Sequence, residues 1–422
     1  MRHIPFKSYS MLGLFLFFCI GVDPAAAAEK HATAEPVLDL TMLVREATEN
    51  NPEIKAARQR WEASRAVVPQ MGTLPDPKAQ VGYQRMPMLE PLEGPMYGIG
   101  QEIPFPGKLQ LREDMASREA ERMEADFAAV RFRVIARLKE AYFDLHFVHE
   151  SIDVVERNKL LLMQFEKTAT ARYAVGKAVQ QDVFRAQVEI SRVLERLAIL
   201  EQRKESLHAD VNRILNRPPS NPLGAPHEVP VTPLTRSLAE INTLLETSSP
   251  LLRASAKGVE RGEQAVALAR REYYPDFDLS VLGLRNDRIN DNGYQLMLGV
   301  KIPLYFATKQ REGVREARAL RESAAQDLQT VRQMLLFQAK DNVVQAQRAE
   351  RLIKLLRDAI IPQAGLALES ALAGYAVGKV DFLTLLNGLL TLQESELELH
   401  GEMVAHEKAL ARLEELVGGS FQ

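Results

Sequence analysis

Two pairs of histidines are the side chains best placed to bind a metal ion. His146 and His149 are three residues apart and share one face of a helix, whereas His400 and His406 are six apart and lie on different faces. Two imidazoles in a solvated groove make a weak site, because a tightly held transition metal usually takes three or more protein ligands. We therefore predict no resident metal at either pair.

Methionines gather near one predicted turn, at Met86, Met88 and Met96. Thioethers suit soft ions such as Cu(I). Packing in a loop or sheet is the alternative, and it is the one that we favour because it is the more common role of such residues. We predict no metal site and no cofactor in this chain.

Motifs of known catalytic sites are absent from the 422 residues. There is no G-x-S-x-G and no H-E-x-x-H. The Gly-Lys pairs at 176–177 and 378–379 lack the earlier glycine and the following Ser or Thr of a phosphate-binding loop. The carboxylates are dispersed along predicted helices, so we predict that the protein is not an enzyme.

Composition excludes further classes of protein and of binding site. The chain is 46% hydrophobic, enough for a sizeable core, and its 53 basic and 56 acidic residues give a net charge of -3. That balance gives no support for a nucleic-acid partner. The single cysteine, Cys19, excludes a disulfide framework and a cysteine-based zinc site.

Residues 1–28 read as a secretory signal peptide. Two basic residues precede the apolar stretch Met11–Val22, and four alanines end the segment. The apolar stretch is shorter than the roughly 20 residues that a membrane-spanning helix needs. Attachment of lipid to Cys19 is disfavoured, because Phe17 and Phe18 stand where small residues are required. We expect an exported mature chain.

The chain is duplicated. Four short matches recur in the same order at offsets of 198 to 202 residues: Asn51-Pro52 with Ser249-Pro250, Pro75-Asp76 with Pro275-Asp276, Ile103-Pro104 with Ile302-Pro303, and Tyr173–Lys177 with Tyr375–Lys379. Between the copies lies a segment with six prolines, which cannot hold a continuous helix. We predict a first repeat at 29–215, a linker at 216–236, a second repeat at 237–417 and a tail at 418–422.

Each repeat contains a helix, two strands, a long helix, a sharp turn and a return helix. Apolar residues along the first long helix recur every three or four positions, as in a coiled coil, and its length is on the order of 100 Å. The predicted elements of the first repeat are a helix at Thr41–Val68, strands at Lys78–Arg85 and Met96–Phe105, and the long helix Lys108–Ala174. In the second repeat the long helix covers Lys309–Ala376, with a kink at Pro362.

The strands alternate apolar and polar residues, with aromatic residues near their ends. This pattern is typical of a membrane β-barrel; a small soluble sheet capping a helical bundle is the alternative. Spanning barrels start at about eight strands, and an open sheet would leave unpaired edges in lipid. Four strands per chain would therefore require a dimer, trimer or tetramer, and the strand pattern does not choose between them.

These features together resemble the TolC family of outer-membrane efflux proteins over the whole mature chain. The segments 100–108 (GQEIPFPGK) and 378–386 (GKVDFLTLL) further resemble its heavy-metal branch, of Czc and Cus type. The resemblance implies a mainly α fold: a homotrimer with a 12-stranded transmembrane β-barrel in outer-membrane lipid and a long α-helical barrel across the periplasm. It implies a passive duct that works with a periplasmic adaptor and an inner-membrane pump of the resistance-nodulation-division (RND) type.

The twin turns are the predicted tips of the tunnel. Gly176 and Gly378 can adopt the left-handed conformation that ends a helix, and Asp381 is a predicted N-cap. By resemblance, the tips contact the adaptor through Val175, Gly176, Lys177, Val377, Gly378 and Lys379. The alternative is simple helix-turn chemistry with no partner.

A gate at the same end is also implied by the resemblance. Tyr375 matches the family's locking tyrosine and Asp182 matches its acidic partner, while the family's locking arginine falls on Val380. The two carboxylates that ring the family's constriction fall on Thr384 and Asn387, so this chain would present hydroxyls and amides there. We hypothesise a lock formed mainly by Tyr375 and Asp182.

Two classes of function remain. The first is an outer-membrane duct, for heavy-metal cations or alternatively for drugs or type I secretion. The second is a soluble periplasmic coiled-coil adaptor or scaffold. The duplicated hairpins favour the duct.

Overall fold

The computed structural model describes residues 38–86 and 92–420. The predicted signal peptide, Cys19 and Met88 lie outside the described residues, as does the side chain of Met86. The described helices are α1 Leu40–Asn50, α2 Pro52–Gly72, α3 Lys108–Ala174, α4 Gln180–Ile214, α5 Leu238–Ser248, α6 Pro250–Arg271, α7 Gln310–Leu355, α8 Ile361–Ala376 and α9 Phe382–Val417. The described strands are β1 Lys78–Met86, β2 Leu92–Ile103, β3 Asp276–Asn286 and β4 Asp291–Lys301.

Both halves of the chain follow one order of elements: two short helices, a hairpin, a long helix and a return helix. The first long helix, α3, has 67 residues and the predicted bounds, which gives about 100 Å at 1.5 Å per residue. Its counterpart is interrupted by a π-helical segment at Leu356–Ile360, just before Pro362. A proline removes a backbone donor and clashes with the carbonyl four residues earlier, which relaxes the helix there. The long helix is thus interrupted at the predicted place, and a bend of its axis there stays a prediction.

The predicted helix Thr41–Val68 is wrong, because two helices, α1 and α2, meet at Asn51. Pro52 disfavours a helical conformation in the residue before it, and Asn51 has extended backbone angles. The Asn51 side chain accepts hydrogen bonds from the backbone N–H groups of Glu53 and Ile54 at 2.8 and 3.3 Å. Asn51 therefore ends one helix and caps the next.

The described strands form one antiparallel sheet in the order β1-β2-β3-β4, so the two predicted hairpins are confirmed. The strands lie within a few residues of the predicted bounds. Apolar residues pair across one face, for example Leu279 with Leu298, and more polar residues pair across the other, for example Ser280 with Met297. The apolar face is exposed in the single chain: Val81 is 88% and Leu298 67% exposed.

No helix in the described part of the chain is both long and apolar enough to cross a membrane.

Ion pairs join α3 and α9, which run antiparallel. Three of them follow one another along the pair: Glu140 with Arg412 at 2.5 Å, Asp144 with Lys408 at 2.8 Å, and Arg157 with Glu396 at 3.4 Å. Each exposed pair contributes little, about 0–1 kcal/mol. The buried apolar residues along the same helices, such as Leu138, Leu145 and Leu413, provide most of the stabilisation.

The proline-rich linker packs against α9. The Glu407 carboxylate accepts hydrogen bonds from the backbone N–H and the hydroxyl of Thr232, at 2.7 and 3.3 Å. His406, which is fully buried, has its Nε2 2.6 Å from the carbonyl oxygen of Thr232. These contacts satisfy linker groups that a helix or strand would otherwise pair.

Candidate functional site at the helical tips

Two glycine turns end the long helical hairpins. Gly176 and Gly378 have φ of +72° and +78°, so the predicted left-handed conformation is confirmed. The next residue donates back across each turn: Lys177 N–H to the carbonyl of Arg172 at 2.8 Å, and Lys379 N–H to that of Gly374 at 2.9 Å. This is the bonding of a helix C-terminus closed by a left-handed residue.

The two turns restart their return helices differently. Asp381 accepts a hydrogen bond from the Thr384 N–H at 2.8 Å, so its predicted role as an N-cap is confirmed. Hydrogen bonds from the side chain and the backbone N–H of Thr384 hold the pKa of Asp381 below its usual value. At the first turn Val179 occupies the capping position and makes no side-chain cap.

The two glycines give a matched pair of mutations. A Cβ on Gly176 would meet no atom within 4 Å, whereas a Cβ on Gly378 would lie 3.1 Å from the Arg172 guanidinium. Both alanine variants must bear the strain of positive φ, about 1–2 kcal/mol. We expect Gly378→Ala also to displace Arg172, so it should destabilise the tip more than Gly176→Ala. Hydrogen exchange at the two turns measures the difference, and equal opening rates would contradict it.

Arg172, on α3, contacts both turns. Its guanidinium donates to the carbonyl of Tyr375 in the second repeat and, at 3.3 Å, to that of Lys177 in the first. The guanidinium carbon also lies 4.7 Å from the centre of the Tyr375 ring, a cation–π contact. One cation thus joins the tips of the two repeats.

Sequence reasoning missed Arg172, although the duplication held a signal. The repeat offset of 202 residues aligns Arg172 with Gly374, so the two copies differ at this position while the five residues that follow are identical. Gly374 leaves room for Val380, whose Cγ2 would lie 2.5 Å from an added Cβ. Val380 is the residue where the resemblance predicts a locking arginine, and in this chain Arg172 places a cation at the tip from the other repeat.

The predicted lock residues lie in the same tip. Tyr375 is 3% exposed and packs edge-to-face on Phe382, with ring centres 5.7 Å apart. Its hydroxyl is buried and makes no hydrogen bond with any described residue, Asp182 included. Burial and the charge of Asp182 raise the pKa of Tyr375. A Tyr375–Asp182 hydrogen bond therefore stays a prediction for the assembled tunnel.

Asp182 lies near both an acidic and two basic side chains. Burial, with the neighbouring Asp381 carboxylate, raises its pKa, while Arg185 and Arg172 act in the opposite direction. Thr384 and Asn387 lie on the exposed face of α9, and Phe382, Leu385 and Leu389 pack inward. That face carries the hydroxyl and amide groups expected at the constriction.

The predicted adaptor-contact residues form the outermost surface of the tips. Val175 and Val377 are 66% and 69% exposed, and Lys177 and Lys379 are exposed beside them. Valines on a turn that make few intramolecular contacts, flanked by lysines, leave an apolar patch with a basic rim. Such a patch suits a protein partner with a complementary surface.

The candidate metal ligands do not converge. No group of three or more His, Cys, Asp or Glu within the described ranges could hold a metal ion. His149 faces His208 with ring centres 6.3 Å apart, and His400 lies 3.7 Å from the Glu150 carboxylate. His406 binds the linker instead, and Met96 is half-buried in β2.

We expect His146 to make the folded helices sensitive to acid. It is 5% exposed, and burial lowers its pKa, with His400 and His149 adding to the effect and Glu150 opposing it. The unfolded chain therefore takes up this proton first as the pH falls through about 6.5, so acid destabilises the folded state.

We expect His146→Gln to remove that part of the pH dependence. The measurement is the Tm of both proteins in one detergent between neutral and mildly acidic pH. The variant should gain stability relative to the wild type as the pH falls. A difference in Tm that does not change with pH would exclude His146 as the cause.

Duplicated helical hairpins, a sheet with an exposed apolar face and tips closed by glycine turns together define an outer-membrane channel with a helical barrel. Among solved structures, the chain is similar to the OprN channel with a TM-score of 0.78, 17% identity and 90% coverage of each chain. It is also similar to CusC, with a TM-score of 0.79 and 14% identity over 92% of this chain and 93% of that one.

The sequence comparisons identify the family. The model of the outer membrane efflux protein family matches residues 43–217 and 242–419, so this chain belongs to that family. A curated relative is the cobalt-zinc-cadmium resistance protein CzcC of Cupriavidus metallidurans, 24% identical over 321 residues and 75% of each chain. Outer membrane protein TolC of Vibrio cholerae is 21% identical over 417 residues and 90% of each chain.

Family membership confirms the predicted fold class and outer-membrane location. The protein is an outer-membrane efflux channel whose helical barrel extends into the periplasm. Both family and fold are those of channel proteins. The alternative class of function, a soluble periplasmic coiled-coil adaptor or scaffold, is therefore not supported.

Proposed function

We propose that this channel is the passive exit duct of a tripartite system that exports heavy-metal cations. The observation that carries the proposal is the similarity to CzcC over three quarters of both chains. The segments 100–108 and 378–386, which resemble the heavy-metal branch, support it. The duct itself supplies no energy, and an inner-membrane RND pump drives the transport.

The working unit in this proposal is a homotrimer. In the sheet, β1 and β4 each have a strand neighbour on one side, and such edges are costly in lipid. Three copies supply 12 strands, enough for a closed barrel, since barrels begin at about eight strands. β4 of one copy would then pair with β1 of the next.

The tips are the proposed contact with the periplasmic adaptor. Val175, Gly176 and Lys177, with Val377, Gly378 and Lys379, are exposed at the end of the hairpins farthest from the sheet. In the same proposal Arg172, Tyr375 and Asp182 hold the tips closed. Thr384 and Asn387 line the constriction without charge, which lets cations pass without being retained.

That uncharged constriction also favours a second candidate, a duct for drugs. Threonine and asparagine carry no net charge that would favour a cation, so a neutral or weakly charged solute would pass equally well. Growth of a deletion strain separates the two functions. The heavy-metal duct predicts severalfold lower inhibitory concentrations of cobalt, zinc or cadmium, with those of drugs unchanged; the reverse pattern would replace it with the drug duct.

A pair of charge-reversal variants tests the tips in the same strain. Lys177→Glu with Lys379→Glu is expected to fail to restore resistance, because it reverses the charge of the proposed adaptor surface. Lys340→Glu with Lys354→Glu makes the same change on exposed lysines of α7 and should restore it. Both must reach the outer membrane in equal amounts. Full resistance from the tip variant would remove the tips from the adaptor contact.

A further inference from the structure

A cleft lies where the sheet passes into the helices. The ends of α6 and β4, the start of β3 and the first turn of α7 enclose a cavity of about 410 Å³, a size typical of small-ligand sites. The strands join the helices at this end, so in an outer-membrane channel the cleft lies at the periplasmic surface of the bilayer.

The charges in the cleft do not balance. Lys108 is 1% exposed, and its ammonium lies 2.8 Å from the Asp276 carboxylate and 3.2 Å from that of Glu272. Those two carboxylates are the acids of the lining; Lys108 pairs with both, and Arg112 lies 3.8 Å from the Glu272 carboxylate as a second cation. Lys301 and Lys309 also line the cleft, are exposed, and form no ion pair with a described residue. The cleft therefore has an excess of positive charge.

The apolar row of the sheet leads into the same cleft. Leu296, Leu298 and Val300 share one face of β4, and Ile302 and Leu304, just past the end of the strand, line the cleft. Ile302 is 64%, Leu304 73% and Tyr305 76% exposed. A tyrosine beside apolar residues is typical of the membrane–water boundary. An acyl chain lying along this row would place its headgroup at the end of β4, where Lys301, from the other face of the strand, and Lys309 both line the cleft.

A hydrogen-bond acceptor in the cleft also needs a donor. The Oε1 of Gln310, at the start of α7, is buried and unpaired among the described residues, although Gln310 lines the cavity. Buried polar atoms are nearly always hydrogen-bonded. A headgroup that carries a hydroxyl beside its phosphodiester would supply the donor to Gln310 and the negative charge to the two lysines.

We propose that this cleft binds the headgroup of an anionic glycerophospholipid of the phosphatidylglycerol type, in the periplasmic leaflet. Lys301 and Lys309 attract the phosphodiester, Gln310 accepts from the glycerol hydroxyl, and Ile302 and Leu304 contact the acyl chains. The lipid would fix the depth of the barrel at the junction with the tunnel. The proposal rests on the outer-membrane location and is independent of the exported substrate.

Native mass spectrometry of the delipidated channel, titrated with single lipids in detergent, tests the site. We expect dioleoyl phosphatidylglycerol to be retained and dioleoyl phosphatidylcholine to be lost, with no competition from inorganic phosphate. Lys301→Gln with Lys309→Gln should weaken retention about thirtyfold, given the usual contribution of a lysine at an anionic lipid surface. Lys340→Gln with Lys354→Gln removes the same charge on α7 and should bind like the wild type.

Several results would overturn the proposal. Equal retention of both lipids would make the contact a non-specific hydrophobic one, and displacement by inorganic phosphate would identify a phosphate site. Unchanged retention in the cleft variant would place the lipid elsewhere. If that variant fails to assemble, Lys301→Arg with Lys309→Arg decides, since it keeps the charge and must keep the selectivity.

Discussion

Replacing Arg172 by alanine is expected to make the tunnel leak at rest. The variant loses the donation to the Tyr375 carbonyl, the donation to the Lys177 carbonyl and the contact over the Tyr375 ring. Hydrogen bonds from a charged group contribute about 1.5–3 kcal/mol and a cation–π contact about 0.5–2 kcal/mol. Arg172 is partly exposed, so a loss of about 2–3 kcal/mol per subunit is reasonable. That loss shifts the equilibrium between the closed and the open tip toward the open state by a factor of roughly 30–150.

Conductance in planar bilayers measures this shift as an increased closed-state current. Arg157→Ala is the matched control, because Arg157 lies on the same helix and makes one exposed ion pair, with Glu396 at 3.4 Å. Arg172→Lys should give an intermediate current, since an ammonium keeps the charge but lacks the planar fork. A closed-state current in Arg172→Ala equal to that of Arg157→Ala would show that the arginine does not hold the tips together.

The same assay ranks the residues of the hypothesised lock. If a hydrogen bond between Tyr375 and Asp182 holds the assembled gate, Tyr375→Phe and Asp182→Ala should each raise the closed-state current. If Arg172 instead acts through the backbone carbonyl and the ring face of Tyr375, Tyr375→Phe should leave the closed-state current unchanged. Phenylalanine keeps both the carbonyl and the ring. Tyr375→Phe thus separates the two forms of lock.

Removing the carboxylate of Asp276 is expected to destabilise the junction between sheet and helices. Asp276 accepts from the Lys108 ammonium and from the Phe105 N–H, each at 2.8 Å. Asp276→Ala leaves a lysine that is 1% exposed with only the partly exposed Glu272 as its ion-pair partner. Removing one partner of a buried pair costs about 3–5 kcal/mol. For a chain of this size we expect the Tm to fall by roughly 5–15 °C.

A second substitution distinguishes the loss of the Lys108–Asp276 ion pair from the other effects of removing the Asp276 carboxylate. Lys108→Met in the Asp276→Ala background removes the buried charge, and it should recover much of the lost Tm because buried pairs often add little net stability. Thermal unfolding of the four proteins in one detergent gives the interaction energy. A double variant no more stable than Asp276→Ala would show that the carboxylate acts through the Phe105 N–H instead.

Much of the fold followed from local patterns. Period-2 alternation predicted the two hairpins, apolar spacing predicted the bounds of α3, and Gly176 and Gly378 predicted the turns. The one helix predicted wrongly, Thr41–Val68, failed at Asn51-Pro52, where the effect of proline on its preceding residue outweighed the continuous apolar pattern.

The candidate site was predicted less completely. Its glycines were predicted because a turn that ends a helix requires them, and its valines were predicted from the resemblance of the two turns to the family. Arg172 was not found, because its contact with Tyr375 joins residues 203 positions apart. The resemblance predicted that a locking arginine is missing at Val380, and the structure has a cation at the tip from another helix, α3.

The sequence by itself determined the duplication, most of the secondary structure, the turns and the membership of the family. Each depends on residues that are near neighbours in the chain or on a pattern repeated along it. Only the tertiary structure decided which cation spans the tips and which lysine is buried at the junction, since Lys108 meets Asp276 across 168 residues. Side-chain partners at such separations depend on how helices and strands pack, and many residues of the right charge could have filled the same role.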